Sequence, residues 1–145
     1  MNAALLLSEL ETREINRVAE LMVSPTSVFV FGSNRAGIHG GGAANVAFKE
    51  YSARWGQGEG LAGRSYAIPT KDERIDTLPL RFVAEYVRSF VEFAVERPYL
   101  TFAVTRVGCG LAGFTDDQIA PLFVMAPANC ELPEGWREII LRIGQ

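Results

Sequence analysis

Val28-Phe29-Val30-Phe31-Gly32-Ser33-Asn34-Arg35-Ala36-Gly37-Ile38-His39-Gly40-Gly41-Gly42-Ala43-Ala44 reads as a strand, a glycine-rich turn and the opening of a helix. Residues 28–31 are an unbroken apolar run between turn formers, the pattern of a central strand covered on both faces. Residues 43–55 then bring Ala44, Ala47, Phe48, Tyr51 and Trp55 onto one helical stripe, with alanines early enough to let the helix approach a sheet closely. Between them, three consecutive glycines each carry an entropic cost of ~1 kcal/mol relative to alanine, more than a plain turn requires. Glycines opening a helix suit an anion, because unpaired N–H groups and the helix dipole favour negative charge and no Cβ intervenes. A flexible turn with no ligand is the competing reading.

A second glycine turn, Gly108-Cys109-Gly110-Leu111-Ala112-Gly113, follows the β-branched and aromatic run at 100–107. It leads to Thr115-Asp116-Asp117-Gln118, a capping-box pattern for a helix running to about residue 125. The same G-x-G-x-x-G spacing recurs at 58–63, but there it follows a helix and precedes a strand. That is the reverse of the dinucleotide-binding context, so residues 58–63 read as a connecting loop. The turn at 108–113 sits late in the chain with one further strand to come and no acidic residue at its end to hold a ribose. An ordinary Rossmann domain is therefore not expected.

The remaining segments alternate in kind. Residues 8–23 predict a helix with Leu10, Ile15, Val18, Leu21 and Met22 near one face, and 65–68 a short strand. Residues 79–97 predict the longest helix, with Leu80, Val83, Val87, Phe90, Val91 and Ala94 as its buried stripe. Residues 138–143 predict a last strand. The order implies an α/β fold: a three-layer α/β/α sandwich around a mostly parallel, mixed sheet. Residues 1–27 form an accessory helix ahead of an α/β domain over 28–145. Right-handed crossovers put both glycine turns on one edge, outside the carboxyl ends of the strands, where open sheets bind ligands.

The chain has 145 residues, 48% of them hydrophobic, enough for one domain with its own core. A net charge of −3 leaves no basic footprint for general nucleic-acid binding, so any phosphate must be held by local donors. The apolar stretch at 3–7 is short, lacks a preceding basic region and is followed by Glu9, Glu11 and Glu14. It reads as neither a signal peptide nor a membrane span, and a cytoplasmic protein is expected. Two cysteines and one histidine argue against a disulfide scaffold or a protein-held metal, and no cofactor is implied.

Several side chains are candidates for chemistry, each with a plainer alternative. His39 suits a donor to phosphate or ribose, or an acid–base near neutral pH, or is a loop residue without a role. Cys109 is either a nucleophile with His39 as base or a small residue where backbone must approach a ligand. Lys71, after the strand at 65–68, fits a phosphate contact, a nucleophile or a solvated loop lysine. Phe114, Tyr66 and Trp55 fit base stacking or core packing.

Phe31-Gly32-Ser33-Asn34 with Gly40-Gly41-Gly42-Ala43-Ala44, together with Arg106-Val107-Gly108-Cys109-Gly110-Leu111, resembles the macro domain family of ADP-ribose-binding modules. Ile68-Pro69-Thr70-Lys71 further resembles its terminal ADP-ribose protein glycohydrolase branch. The likeness spans residues 28 to about 125. It implies that Gly108, Cys109, Gly110 and Leu111 wrap a diphosphate, with Ala112, Gly113 and Phe114 beyond them as further ligand-binding candidates. Gly40, Gly41 and Gly42, near His39, would flank the distal ribose, Asn34 beside Gly32 and Ser33 would bond ribose hydroxyls, and Lys71 would attack the anomeric carbon. The implied partner is a small ADP-ribose-like ligand or an ADP-ribosylated macromolecule. Ala112 stands where the glycohydrolase pattern has an aspartate, and Ala43-Ala44 where the other hydrolytic branch has one. A reader module that binds without catalysis, and a Cys109–His39 hydrolase on a similar scaffold, are the alternatives.

Overall fold

β1 (Ser27–Asn34) is the central strand of a five-stranded sheet in the computed structural model, which describes residues 3–144. Parallel to it run β3 (Ser65–Lys71) on one side and β4 (Thr101–Val104) on the other. Beyond β3 lies the short antiparallel β2 (Gly60–Ala62), and beyond β4 the parallel β5 (Cys130–Glu131). The molecule is thus an α/β fold on a mixed, mostly parallel sheet. Seven of the eight β1 residues are buried, which is what an apolar run without alternation requires of a strand covered on both faces.

Alternate residues of β1 serve two cores. Val28 and Val30 pack with Tyr66, Ile68, Phe102, Val104 and the buried stripe of α3 (Leu80–Val95). That stripe is Val83, Val87, Phe90, Val91 and Ala94, as the helical periodicity predicts. Phe29 and Phe31 pack with Ala44 and Ala47 of α2 (Gly42–Glu50) and with Val18 and Met22. Val18 belongs to α1 (Ala3–Leu21), which Arg17 ties to the sheet through the carbonyls of Val104 and Glu131. No described helix is long and apolar enough to cross a membrane.

Five expectations change. Residues 136–143 are not a strand but α5 (Trp136–Ile143), which starts after Gly135 at φ +89° and turns Trp136, Ile139 and Ile140 onto the core. Those three share a helical face, whereas 138–143 taken without Trp136 is dominated by its isoleucines at 139, 140 and 143. The second helix stops at Glu50, so Phe48 and Trp55 end half-exposed and only Ala44 and Ala47 are buried. The helix after Thr115 does form the capping box, but as a single turn, α4 (Asp116–Ile119), passing into a 3₁₀ turn (Ala120–Phe123) around Pro121. Residues 58–63 connect a helix to a strand as expected, yet part of them pairs as β2. On α1, Ile15 points to solvent and only Val18 and Met22 of the expected face are buried.

Candidate functional site

The carboxyl ends of β1, β3 and β4 open into one cleft of about 490 Å³, within the roughly 300–1,000 Å³ usual for small-ligand sites. Both glycine turns line it: Gly40, Gly41 and Gly42 on one side, Gly108, Gly110, Leu111 and Ala112 on the other. The end of β1 meets the second turn between them, where a Cβ built on Gly32 would stand 3.3 Å from the Gly108 nitrogen. Gly108 has φ +76°, and a side chain there would press on Phe114 and Ile119 at 3.2 Å. Glycine is therefore needed for both the turn and the packing beneath it.

Several backbone donors of the cleft are unspent. The N–H groups of Gly40, Gly41, Gly110, Leu111 and Ala112 reach no carbonyl among the described residues, and Gly41, the N-cap of α2, supplies no side-chain cap. A nine-residue helix opening this way offers N–H donors and a partial positive charge. Lys71, the last residue of β3, lines the same cleft and makes no ion pair among the described residues. Among the described residues, no Asp or Glu lines it. In a chain of charge −3, this cleft is set up for negative charge.

Other expected contacts have structural duties. Asn34 lines the cleft, but its amide donates to Ile38 O at 2.8 Å and accepts from Ile38 N at 3.0 Å. One amide N–H and one lone pair remain for a ligand. The Ser33 hydroxyl donates to Gly58 O. Gly113 closes its turn by donating to Gly110 O at 3.1 Å, and Phe114 packs on the core.

His39 and Cys109 are not brought together. His39 is buried, its Nε2 is 2.9 Å from Arg54 O, and its ring meets Phe31 edge-on at 5.5 Å. Cys109 packs against the opposite core, the one that holds Val30. Neither lines the cleft. Burial, reinforced by the Asp116 carboxylate, pushes the Cys109 thiol up to about 12. That opposes the thiolate-favouring helix N-terminus expected from sequence, because the helix begins only at Asp116 and is already capped by Thr115. The pair needed for a Cys–His hydrolase is not assembled.

Arg106, Thr70, Thr105, Ile38 and Ile75 line the cleft without having been singled out for binding. Thr70 and Thr105 sit at or just past strand ends, a position from which they could have been inferred. Ile75 gave no such signal, since only the turn at 72–77 carries it there. It has φ +68°, a left-handed conformation costing a β-branched residue about 1–3 kcal/mol.

Arg106 is held from behind. Its guanidinium donates to both Asp116 oxygens at 3.0 and 2.8 Å, and Asp116 also accepts from the Trp136 indole at 2.7 Å. Burial alone would raise the Asp116 carboxyl, but the hydrogen bonds from Arg106 and Trp136 outweigh it and hold it below 3.8. Asp116→Ala is expected to cost about 1–3 kcal/mol, mainly from the orphaned indole N–H. The Arg106 pair, over a third exposed, adds little. Because the folded pKa is depressed, this stabilisation is present above 3.8 and lost as pH falls through the lower folded value. Denaturation at several pH values checks it: the gap between wild type and variant should narrow in acid by the share owed to the ionised carboxylate and keep the share owed to the orphaned indole, and a gap that does not narrow contradicts the assignment.

The chain matches no family model, no curated protein and no solved structure.

Proposed function

We propose that this chain is a macro-domain-like, three-layer α/β/α module that binds ADP-ribose, or a related nucleotide diphosphate, free or attached to a macromolecule. The observation that carries the reading is that two glycine turns distant in sequence line a single cleft, with Gly32 against Gly108 at its floor. Unspent N–H groups from both turns suit the two phosphates of a pyrophosphate, and Lys71 supplies the unpaired cation. The motif resemblance at 31–34, 40–44, 68–71 and 106–111 supports the same ligand.

Lys71 also gives the proposal its catalytic arm. In the reaction implied by the resemblance, Lys71 gives up its proton and its neutral amine attacks the anomeric carbon of the distal ribose; the C–N bond forms as the ester C–O bond breaks and the carboxylate of the linked macromolecule leaves, water then releases ADP-ribose from the lysine, and backbone donors fix the pyrophosphate throughout. Positioning then supplies much of the rate. A second reading, binding without turnover, is favoured by the lack of any carboxylate lining the cleft among the described residues, Asp72 next to Lys71 being taken up by the N–H groups of Arg74 and Asp76.

Calorimetric titration with ADP-ribose, combined with release of ADP-ribose from an ester-linked conjugate, separates the outcomes. The wild type is expected to bind. Lys71→Ala is expected to lose about 100-fold or more in turnover with affinity changed only severalfold. Binding without product release from the wild type makes the chain a reader. Failure to bind ADP-ribose, ADP or pyrophosphate overturns the proposal.

A further inference from the structure

Ile75 and Leu111 are apolar side chains that the fold leaves outside both cores. Ile75 is 40% exposed and Leu111 83% exposed, and both line the cleft. Ile75 is also held where a β-branched residue is least at ease, at φ +68°. The turn around it is heavily constrained. Asp72 Oδ1 accepts from Arg74 N at 2.8 Å and Asp76 N at 3.0 Å, and Ile75 N donates to Asp72 O at 3.1 Å. An antiparallel bridge joins Lys71 to Thr77. Thr77 Oγ1 then donates across to Ala112 O at 3.0 Å, linking this turn to the second glycine turn one residue beyond Leu111.

Backbone N–H groups can hold phosphate, but they offer nothing to the carbon-rich part of a nucleotide. Strain maintained at a ligand cleft, on a side chain the core does not use, indicates a role for that side chain. We propose that Ile75 and Leu111 form an apolar jaw that closes on the ring carbons of a nucleoside joined to the pyrophosphate. This assignment rests on the nucleotide reading of the cleft and deepens it: the glycine turns take the phosphates, and the jaw distinguishes a nucleoside diphosphate from bare pyrophosphate. The side chains gain burial only when a ring is present.

Binding of pyrophosphate, ADP and ADP-ribose to the wild type, Ile75→Asn and Leu111→Ser tests it. Asparagine tolerates the left-handed region, so Ile75→Asn should melt no lower than the wild type, and Leu111 is too exposed for its replacement to unfold the chain. Ile75→Asn is expected to keep wild-type affinity for pyrophosphate and to lose about five- to tenfold for ADP and ADP-ribose alike, and Leu111→Ser to lose about five- to tenfold more for ADP and ADP-ribose than for pyrophosphate. Equal losses for pyrophosphate and ADP, or no loss for ADP, overturn the jaw while leaving the phosphate reading intact. A loss confined to ADP-ribose also overturns it, by moving the contact to the distal ribose. A wild type that binds none of the three removes the nucleotide reading and the jaw together.

Discussion

Gly58→Ala is expected to destabilise the protein by about 3 kcal/mol or more, and to disrupt the cleft edge formed by Asn34. A Cβ at position 58 would lie 2.2 Å from Asn34 O and 2.9 Å from both Arg35 Cα and Arg35 O. All three are backbone atoms, so no rotamer change relieves the overlap. Nor can the end of β1 simply retreat. Arg35 N donates to Lys71 O at 2.9 Å, Gly37 N donates to Asn34 O at 3.0 Å, and the Ser33 hydroxyl is bonded to Gly58 O. Against a typical total of about 5–15 kcal/mol, such a loss is large. Urea denaturation should show a lower midpoint, and ligand affinity should fall with it because Asn34 and Ile38 line the cleft. Wild-type stability in this variant would mean that the loop at 56–58 does not press on β1 as described.

Trp136→Ala should be of similar size, about 3–5 kcal/mol. Trp136 is fully buried, its ring lies 5.3 Å from that of Phe123, and its indole N–H is bonded to Asp116. Truncation therefore leaves a cavity and removes one of the two donors to Asp116 Oδ1, the other being Arg106. Trp136→Phe keeps most of the volume and loses only the donor, so it should cost about 1–3 kcal/mol. The two variants separate packing from hydrogen bonding. Loosening Asp116 also releases Arg106, so Trp136→Ala is expected to weaken ligand binding from a position that does not line the cleft. A loss below about 1 kcal/mol in the alanine variant would show that the core closes over the gap, against the usual behaviour of buried aromatics.

The legible parts of the chain were those whose burial is written in periodicity. The run at 28–31 has no polar alternation because β1 is covered on both faces, and the stripe of α3 repeats at helical spacing because one face meets the sheet. The capping box at 115–118 was readable as well, since it needs only local geometry. The C-terminal segment was misread because β-branched residues at 139, 140 and 143 resemble a strand, and the helix shows only when Trp136 is counted on the same face. Strand propensity is weak against packing of that kind.

For the site, residue types and turns were readable, but the destination of each side chain was not. Glycine clusters after apolar runs already implied backbone exposed to a ligand, because that follows from the missing Cβ alone. Whether the turn at 40–42 and the turn at 108–113 face one cleft depends on strand order, and the order β2-β3-β1-β4-β5 brings together residues that lie far apart in the chain. The separation of His39 from Cys109 likewise follows from which face of the sheet each loop folds onto, a distinction of three-dimensional packing. Ile75 enters the cleft only because hydrogen bonds around Asp72 hold its backbone in a conformation that isoleucine does not favour. Local chemistry is carried by the order of residues, whereas convergence of distant groups requires the long-range contacts that form on folding.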